Sequence, residues 1–216
     1  MVTSNGGDIP AVEPGGRIEE LDLIGGEPSL DFVNTGSHRA SPPFKERLHV
    51  YADLVTWAER VCGLDAETSA RLRGLADRSP EDAQEVVERG RRLREAIYRS
   101  FTAMMRSERA AASDLDVIAA EVARASAHRR LVPTVDGCEY EYTDDEALER
   151  PLWPVALNAA ELATSSGIAR VKECASENCN WLFFDASKNR SRRWCDMKDC
   201  GNRAKARRHR ARTASS

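Results

Sequence analysis

Apolar residues recur at helical spacing through most of the first 165 positions. The first clear apolar face comprises Leu48, Tyr51, Leu54, Val55, Ala58 and Val61. Gly63 is placed to end that helix. A longer helix is predicted after Ser79, the expected N-cap, with Pro80 at the first helical position. Its inner face comprises Val86, Leu93, Ile97 and Phe101. This periodicity predicts a mainly α fold.

Three further helices are predicted on either side of the long one. The first covers residues 65–78, the second begins at Ser113, and the third covers residues 150–167. The helix from Ser113 is expected to bury Leu115, Ile118, Ala119 and Val122. Pro154 is expected to interrupt the third helix, because proline cannot donate a helical hydrogen bond.

The segments between these helices predict irregular or β structure. Residues 1–17 are rich in glycine and proline, so we expect a flexible N-terminus. Residues 18–35 predict a weak strand and a turn before a helix near Ser29. The sequence pattern changes to a period of two residues on both sides of Asp136-Gly137, which predicts a small β-hairpin. Residues 18–168, which we call the body, are therefore expected to form a self-sufficient helical domain with one hairpin.

No run of 18 apolar residues occurs, and the polar start "MVTSNGGDIPAVEPGGR" lacks the pattern of a secretory signal. These features predict neither a membrane partner nor secretion, and they favour the cytoplasm. Thiols are reduced there, so the six cysteines do not predict a disulfide framework.

Four cysteines form two regularly spaced pairs near the C-terminus. Cys174 and Cys179 are separated by four residues, as are Cys195 and Cys200, and 15 residues lie between the pairs. Four thiolate ligands from two tight loops favour a closed, structural, tetrahedral Zn²⁺ site. The spacing within each pair exceeds the familiar two residues, so iron or an accidental cluster stays open. Cys62 and Cys138 stand apart and are expected to be small buried residues.

Aromatic residues lie between and beside the cysteine pairs. The segment "NWLFFDAS" is expected to form one arm of a β-hairpin in which Trp181, Phe183 or Phe184 shields the metal, with Trp194 beside the second pair. These side chains could instead stack on nucleic-acid bases, but that requires them to be exposed. A metal-dependent module has few other apolar residues, which favours the core interpretation.

Charge divides the chain into two parts. From Arg170 onward there are 13 Lys and Arg against 5 Asp and Glu, a net charge of +8. The preceding residues hold 19 against 30, a net charge of −11. Such asymmetry predicts that the C-terminal part alone engages an anionic partner.

The string "RRWCDMKDCGNR", followed by "RAKARRHRAR", resembles the CGNR zinc-finger family. The segment "GEPSLDFVNT" is similar to the ABATE domain, which precedes this finger in bacterial stress-induced transcriptional regulators. The resemblance implies a helical domain of unassigned activity at residues 18–168. It also implies a zinc-bound, DNA-binding module at residues 169–216, which we call the C-terminal module. We expect that module to combine a β-hairpin with a basic helix, in a treble-clef or ribbon-like arrangement.

The candidate nucleic-acid-binding residues surround and follow the second cysteine pair. They are Arg192, Arg193, Asn202, Arg203, Lys205, Arg207, Arg208, Arg210 and Arg212. Asn202 is the expected N-cap of a helix, from which Asn202 and Arg203 could reach base edges while the later arginines bind phosphates. Alternatively, Arg192, Arg193, Lys198 and Arg203 neutralise the −2 charge of zinc with four thiolates.

Asp31 and Asn34 are candidates for a ligand pocket in the body. The competing interpretation is that Asn34 and Thr35 only cap a turn. We favour capping, and a small-molecule effector of the body stays open.

Three functions remain at this point. The first is a DNA-binding regulator whose acidic body senses a signal or forms a homodimer. The second is RNA or ribosome binding by the same C-terminal module. The third is an enzyme with a scaffolding finger, which is disfavoured because Asp31, Asn34, His38, His49 and His128 lack the spacing of a catalytic or metal pair.

Overall fold

The computed structural model describes residues 12–39, 43–144 and 146–213, and within them the fold is mainly α. The helices are α1 (Pro28–Val33), α2 (Tyr51–Cys62), α3 (Ala66–Arg78), α4 (Pro80–Met105), α5 (Ala112–Ala127), α6 (Trp153–Thr164) and α7 (Asn202–Thr213). Short 3₁₀ helices cover Ile18–Glu20, Arg150–Leu152 and Ser166–Arg170, and a π-helical turn covers Met197–Gly201. In this part of the chain, no helix has both the length and the apolar character needed to cross a membrane.

Three small sheets accompany the helices. Their strands are β1 (Val12–Pro14), β2 (Gly36–Ser37), β3 (Phe44–Glu46), β4 (Arg129–Thr134), β5 (Gly137–Tyr142), β6 (Val171–Glu173) and β7 (Leu182–Phe184). Strand β3 lies in the centre of the first sheet, parallel to β1 and antiparallel to β2. Strands β4 and β5 form the predicted hairpin, and β6 pairs with β7 in the C-terminal module.

The long helix α4 lies at the centre of the body. Its predicted inner face is buried, as is most of the predicted face of α2. Phe32 of α1 packs edge-on against Trp57 of α2, with ring centroids 4.9 Å apart. Gly90 lets α4 approach its neighbours, because a Cβ there would lie 3.1 Å from Leu152 Cδ2. Gly63 ends α2 in the left-handed conformation, as predicted.

A buried ion pair joins β3 to α4. Arg94 is 2% exposed, and its guanidinium donates two hydrogen bonds to the carboxylate of Glu46, at 2.6 and 2.7 Å. Thr35 Oγ1 accepts a further bond from Arg94 Nη1, and Glu95 pairs with Arg94 Nε. Removing one member of such a pair leaves an uncompensated buried charge. This network fixes the small sheet beside the helices.

The C-terminal module shares the core of the body. Val171 and Leu182 are buried in the main hydrophobic cluster, and Trp181 and Phe184 pack against it. Strand β7 lies against α1, and β6 lies against α4. The sequence predicts a self-sufficient body because the helical periodicity ends near position 165, but three-residue strands carry too little pattern to reveal their packing partner.

Several local expectations are wrong. Residues 18–27 contain a 3₁₀ turn rather than a strand, whereas β1 lies within the segment predicted to be flexible. Residues 1–11 of that segment lie outside the described part of the chain. On α5, Leu115 is 41% exposed rather than buried, and Ala119 is exposed as well. Pro154 lies in the first turn of α6, where the missing N–H has no helical acceptor, so it does not interrupt the helix.

Candidate metal centre and cationic helix

The four paired cysteines converge on one buried point. Cys174 follows β6, Cys179 lies in the turn before β7, Cys195 follows a loop, and Cys200 lies in the π-helical turn before α7. Their Sγ atoms all lie within 4.8 Å of one another, and each residue is at most 8% exposed. The cysteines therefore form a metal-ready cluster in the C-terminal module.

The spacing of the sulfur atoms fits coordination rather than a disulfide. The Sγ atom of Cys195 lies 3.6 Å from those of both Cys179 and Cys200. A disulfide requires about 2.05 Å between sulfur atoms. A tetrahedral site with metal–sulfur bonds of about 2.3 Å places its sulfur atoms about 3.8 Å apart. Soft thiolate donors at this separation fit a soft or borderline metal ion.

Charge within the cluster also favours a bound cation. Hydrogen bonds with Cys179 and Cys195 lower the pKa of the Cys174 thiol, and the backbone N–H of Cys195 donates to Cys174 Sγ at 3.4 Å. The interaction with Cys174 in turn raises the pKa of the Cys195 thiol. One thiolate therefore opposes the formation of the next. A divalent metal removes this penalty and allows all four thiols to ionise.

Asp185 organises the loop between the cysteine pairs. Its buried carboxylate accepts hydrogen bonds from Lys172 Nζ at 2.7 Å, from the backbone N–H of Arg192 at 3.0 Å, and from both N–H and hydroxyl of Ser187. Burial alone would raise the pKa of Asp185, but the bonds from Lys172 and Ser187 hold that pKa below its ordinary value. The sequence did not identify this residue, since its only signal is an aspartate directly after an aromatic strand.

The aromatic residues serve mainly as core. Phe183 is fully buried against the cysteines, and Trp181 and Trp194 are partly buried beside them, as the core interpretation predicts. Phe184 differs, because it packs against the core of the body. Cys138 also differs from expectation, since it is exposed on the β4–β5 hairpin, while Cys62 is partly buried.

Two predicted nucleic-acid-binding arginines lie in the loop before Cys195. Arg192 is partly buried, donates to the carbonyls of Trp194 and Cys195, and lies 4.4 Å from the centre of the Phe183 ring. It therefore braces the loop. Arg193 is exposed and lies over the ring of Trp194.

The start of α7 departs from the predicted cap. Asn202 Nδ2 donates back to the carbonyl of Lys198 at 2.9 Å, while the side chain of Asp196 caps the preceding π-helical turn. Arg203 Nη2 donates to Cys200 Sγ at 3.1 Å and forms an ion pair with Asp199 at 2.9 Å. This contact with a cysteine sulfur fits the alternative interpretation, in which Arg203 neutralises the charge of the thiolates instead of reading bases.

Further along α7, Lys205, Arg207 and Arg210 are exposed. Arg207 forms an ion pair with Glu177 at 3.0 Å, at the surface, where such pairs are weak. Arg208 and Arg212 lie on the same helix, but their side chains lie outside the described part of the structure. The described side chains beyond Arg203 thus include three exposed cations.

The two candidate ligand residues of the body form bonds within the protein. Asp31 Oδ1 accepts a hydrogen bond from the N–H of Gly25 at 2.8 Å, and burial raises the pKa of this carboxyl. The amide of Asn34 is fully buried and bonds to the backbone of Leu182. Thr35 Oγ1 donates to the carbonyl of Phe32. A ligand pocket at Asp31 and Asn34 stays a prediction.

Two family models match the chain, in the order that the sequence predicts. The ABATE model, described as "Putative stress-induced transcription regulator", matches residues 26–166. The CGNR zinc-finger model matches residues 170–213, which include all four clustered cysteines. Among curated proteins, none matches the sequence. Since the first match covers more than half of the chain, the protein belongs to the ABATE family, and it carries a CGNR zinc finger after the ABATE domain.

Proposed function

We propose that this protein is a zinc-dependent, DNA-binding transcription regulator of the cytoplasm. The observation that carries the proposal is the direct connection between the four-cysteine cluster and α7. Cys200 belongs to the turn that leads into this helix, and Lys205, Arg207 and Arg210 project from it into solvent. A metal at the cluster would hold the start of a cationic helix in a fixed position.

Zinc is the proposed metal, held by Cys174, Cys179, Cys195 and Cys200. Four thiolates leave no open position for water or substrate, so the ion would be structural rather than catalytic. The matched zinc-finger family supports the same choice. When bound, zinc would supply the positive charge that allows the clustered thiols to ionise together.

Duplex DNA is the proposed partner. Helix α7 has 12 residues and is therefore about 18 Å long. An α-helix fits the major groove of B-form DNA, whereas the corresponding groove of A-form RNA is deep and narrow. Recognition of single-stranded RNA relies on exposed aromatic residues, but Phe183 is fully buried and Trp181, Phe184 and Trp194 are partly buried. These features favour DNA over RNA.

We assign a regulatory role to the body and no catalytic one. Its negative charge opposes contact with nucleic acid, and its candidate polar residues Asp31 and Asn34 are bonded to the protein backbone. We propose that residues 18–168 sense a signal or form a homodimer, and that residues 169–216 bind DNA.

The proposal is tested by measuring, with fluorescence anisotropy, how the full-length protein binds a pool of random DNA duplexes. Zinc content is measured in the same preparation, which is purified without chelators. We expect one zinc per chain and duplex binding that weakens steeply with salt. If a structured RNA displaces the duplex at lower concentration than competing DNA does, the RNA alternative replaces this one. A preparation without bound metal would contradict the zinc assignment.

A further inference from the structure

A cleft of about 570 Å³ lies between the body and α7, and Cys179, Cys195 and Cys200 of the cluster form part of its wall. The body lines it with Ser37 and His38 of the β2 end and with Lys45 and Arg47 of the β3 end. Arg203, Arg207 and Arg210 line it from α7, and Trp181 contributes an aromatic wall. Cavities of this size accommodate small organic ligands.

Positive charge concentrates in the cleft. Lys45 and Arg47 form no ion pair with any residue that the structure describes, although both are partly buried. His38 lies among the cations: burial lowers its pKa, and the charges of Lys45, Arg47 and Arg203 lower it further. Lys45 and Arg47 therefore place two cations without a described ion pair on one side of the cleft, and Arg203, which is paired with Asp199, adds a third. An anion bound there would reduce the repulsion among them.

Arg47 provides an independent sign of a missing partner. Its Nη1 atom is shielded from solvent and has no hydrogen-bond acceptor among the described residues. Buried donors in native proteins nearly always have acceptors, and those of charged groups are the costliest to leave unsatisfied. Burial accordingly lowers the pKa of Arg47. An oxygen of a bound anion would satisfy this donor.

The backbone holds His38 at this position. Its φ is 63°, in the left-handed region that non-glycine residues seldom adopt. The hydroxyl of Ser37 lies 3.2 Å from His38 Nδ1. Backbone strain of this kind persists only where the surroundings enforce it. Ser37 and His38 thus present two fixed polar groups at the cationic side of the cleft.

The other residues that line the cleft indicate which further groups a ligand would need. Trp181 and Ile24 provide aromatic and apolar surface, while Asp22, Asp196 and Asp199 provide hydrogen-bond acceptors. We propose that the cleft binds a small organic phosphate of nucleotide size. Its phosphate contacts Lys45, Arg47 and Arg203, its planar or apolar part lies against Trp181, and its hydroxyl or amino groups donate to the aspartates.

A phosphate of the DNA backbone is the competing occupant, because Arg207 and Arg210 of α7 also line the cleft. The cleft has volume and an aromatic wall that a single backbone phosphate does not use, and its cations Lys45 and Arg47 come from the body rather than from α7. The proposal does not rest on DNA binding, because Lys45 and Arg47, which carry it, belong to the body.

The test uses the full-length, metal-loaded protein with inorganic phosphate and adenosine monophosphate as probes, and adenosine as the uncharged control. Calorimetry measures binding in wild type, in Lys45→Gln/Arg47→Gln, and in Lys188→Gln. Lys188 is exposed and does not line the cleft, so it provides a matched loss of charge. Metal content and circular dichroism establish that each variant is folded, and Lys45→Gln alone replaces the double variant if that one unfolds.

We expect both phosphates to bind and adenosine to bind weakly or not at all. The Lys45→Gln/Arg47→Gln variant should lose about tenfold or more in affinity for both phosphates, while Lys188→Gln retains the wild-type affinity. Trp181→Phe should weaken adenosine monophosphate more than inorganic phosphate. Failure of both phosphates to bind at millimolar concentration would overturn the proposal. An equal loss of affinity in the Lys188→Gln control would also overturn it. If wild type binds neither phosphate but Lys45→Gln/Arg47→Gln binds duplex DNA more weakly than wild type does, the cleft holds a DNA phosphate instead.

Discussion

The side-chain amide of Asn34 pairs with the backbone of Leu182 as a neighbouring β-strand would. Asn34 Nδ2 donates to the carbonyl of Leu182 at 2.9 Å, and Asn34 Oδ1 accepts from the N–H of Leu182 at 2.8 Å. Close by, the N–H of Phe184 donates to the carbonyl of Gly25 at 2.7 Å. The body and strand β7 of the C-terminal module therefore share hydrogen bonds as well as a core, so we expect disturbance of one to affect the other.

Replacing Asn34 with aspartate should destabilise the whole chain. Asn34→Asp removes the donor to the Leu182 carbonyl and places a carboxylate against that oxygen, in a fully buried position. We expect the free energy of unfolding to fall by about 3 kcal/mol, measured by urea denaturation with circular dichroism. Asn189→Asp, at an exposed position, is the matched control and should change little. Equal stability of the two variants would contradict the coupling.

Loss of the metal should weaken the body as well as the C-terminal module. Metal binding contributes roughly 10–16 kcal/mol in isolated zinc modules, and here β7 also packs in the core of the body. We expect Cys200→Ser, or a strong chelator, to release the metal and lower the thermal midpoint of the helical signal. Cys138→Ser changes an exposed thiol outside the cluster, so this variant should keep its metal and the wild-type thermal midpoint. An unchanged midpoint after metal release would show that the body is independent.

The Glu46–Arg94 ion pair predicts a pH-dependent stability difference. Burial alone would raise the pKa of Glu46, but the hydrogen bonds and charge of Arg94 outweigh it and lower that pKa below the ordinary 4.5. The pair therefore contributes full stability above about pH 4.5 and loses it as pH falls through the lower, folded-state pKa. Glu46→Gln removes the titrating group and leaves Arg94 buried without its main counter-charge.

We expect Glu46→Gln to cost about 3 kcal/mol at neutral pH, and the deficit relative to wild type to narrow below pH 4.5. Urea denaturation of both proteins at matched pH values measures this difference. Metal release in acid affects both alike, because they carry the same cysteines. Glu141→Gln, which breaks a surface pair with Arg130, should remain within about 1 kcal/mol of wild type throughout. A constant Glu46→Gln deficit across this pH range would contradict the linkage.

The sequence predicts what short-range patterns encode. The spacing of the cysteines identified the cluster, and the apolar period of α2 and α4 identified most of their buried faces, because both signals repeat within a few residues. The Asp136-Gly137 pair located the hairpin, although its loop is Val135-Asp136 and Gly137 already pairs with Thr134.

Long-range partners left no comparable pattern. Asn34 and Leu182 are 148 positions apart, and Arg94 and Glu46 are 48 apart. A lone asparagine after an apolar run has the same local sequence whether it caps a turn or pairs with a distant strand. The cleft is likewise invisible in sequence, because its cations come from β3 and α7 and meet only when the C-terminal module docks on the body.

Two neighbouring cations of α7 should have separable roles. Arg203 contacts Cys200 Sγ, whereas Lys205 is exposed and forms no ion pair with a described residue. Groups that hydrogen-bond to metal ligands tune the affinity for the metal, and their loss typically costs about 10–100-fold. Each phosphate contact on duplex DNA contributes about 0.9 to the slope of log affinity against log salt.

We therefore expect Arg203→Gln to weaken zinc binding by about tenfold or more, measured by competition with a chromophoric chelator. Its DNA affinity should fall in step with zinc occupancy and recover when zinc is in excess, with sequence preference unchanged. Lys205→Gln should keep wild-type zinc affinity and lower the salt slope by about one, on every duplex tested. If Arg203→Gln keeps its zinc but loses preference among duplex sequences, Arg203 reads bases rather than balancing the charge of Cys200. The guanidinium could do so without leaving the sulfur, because it has several N–H donors and already contacts both Cys200 Sγ and Asp199; zinc affinity and sequence preference are therefore the two measurements that separate its roles.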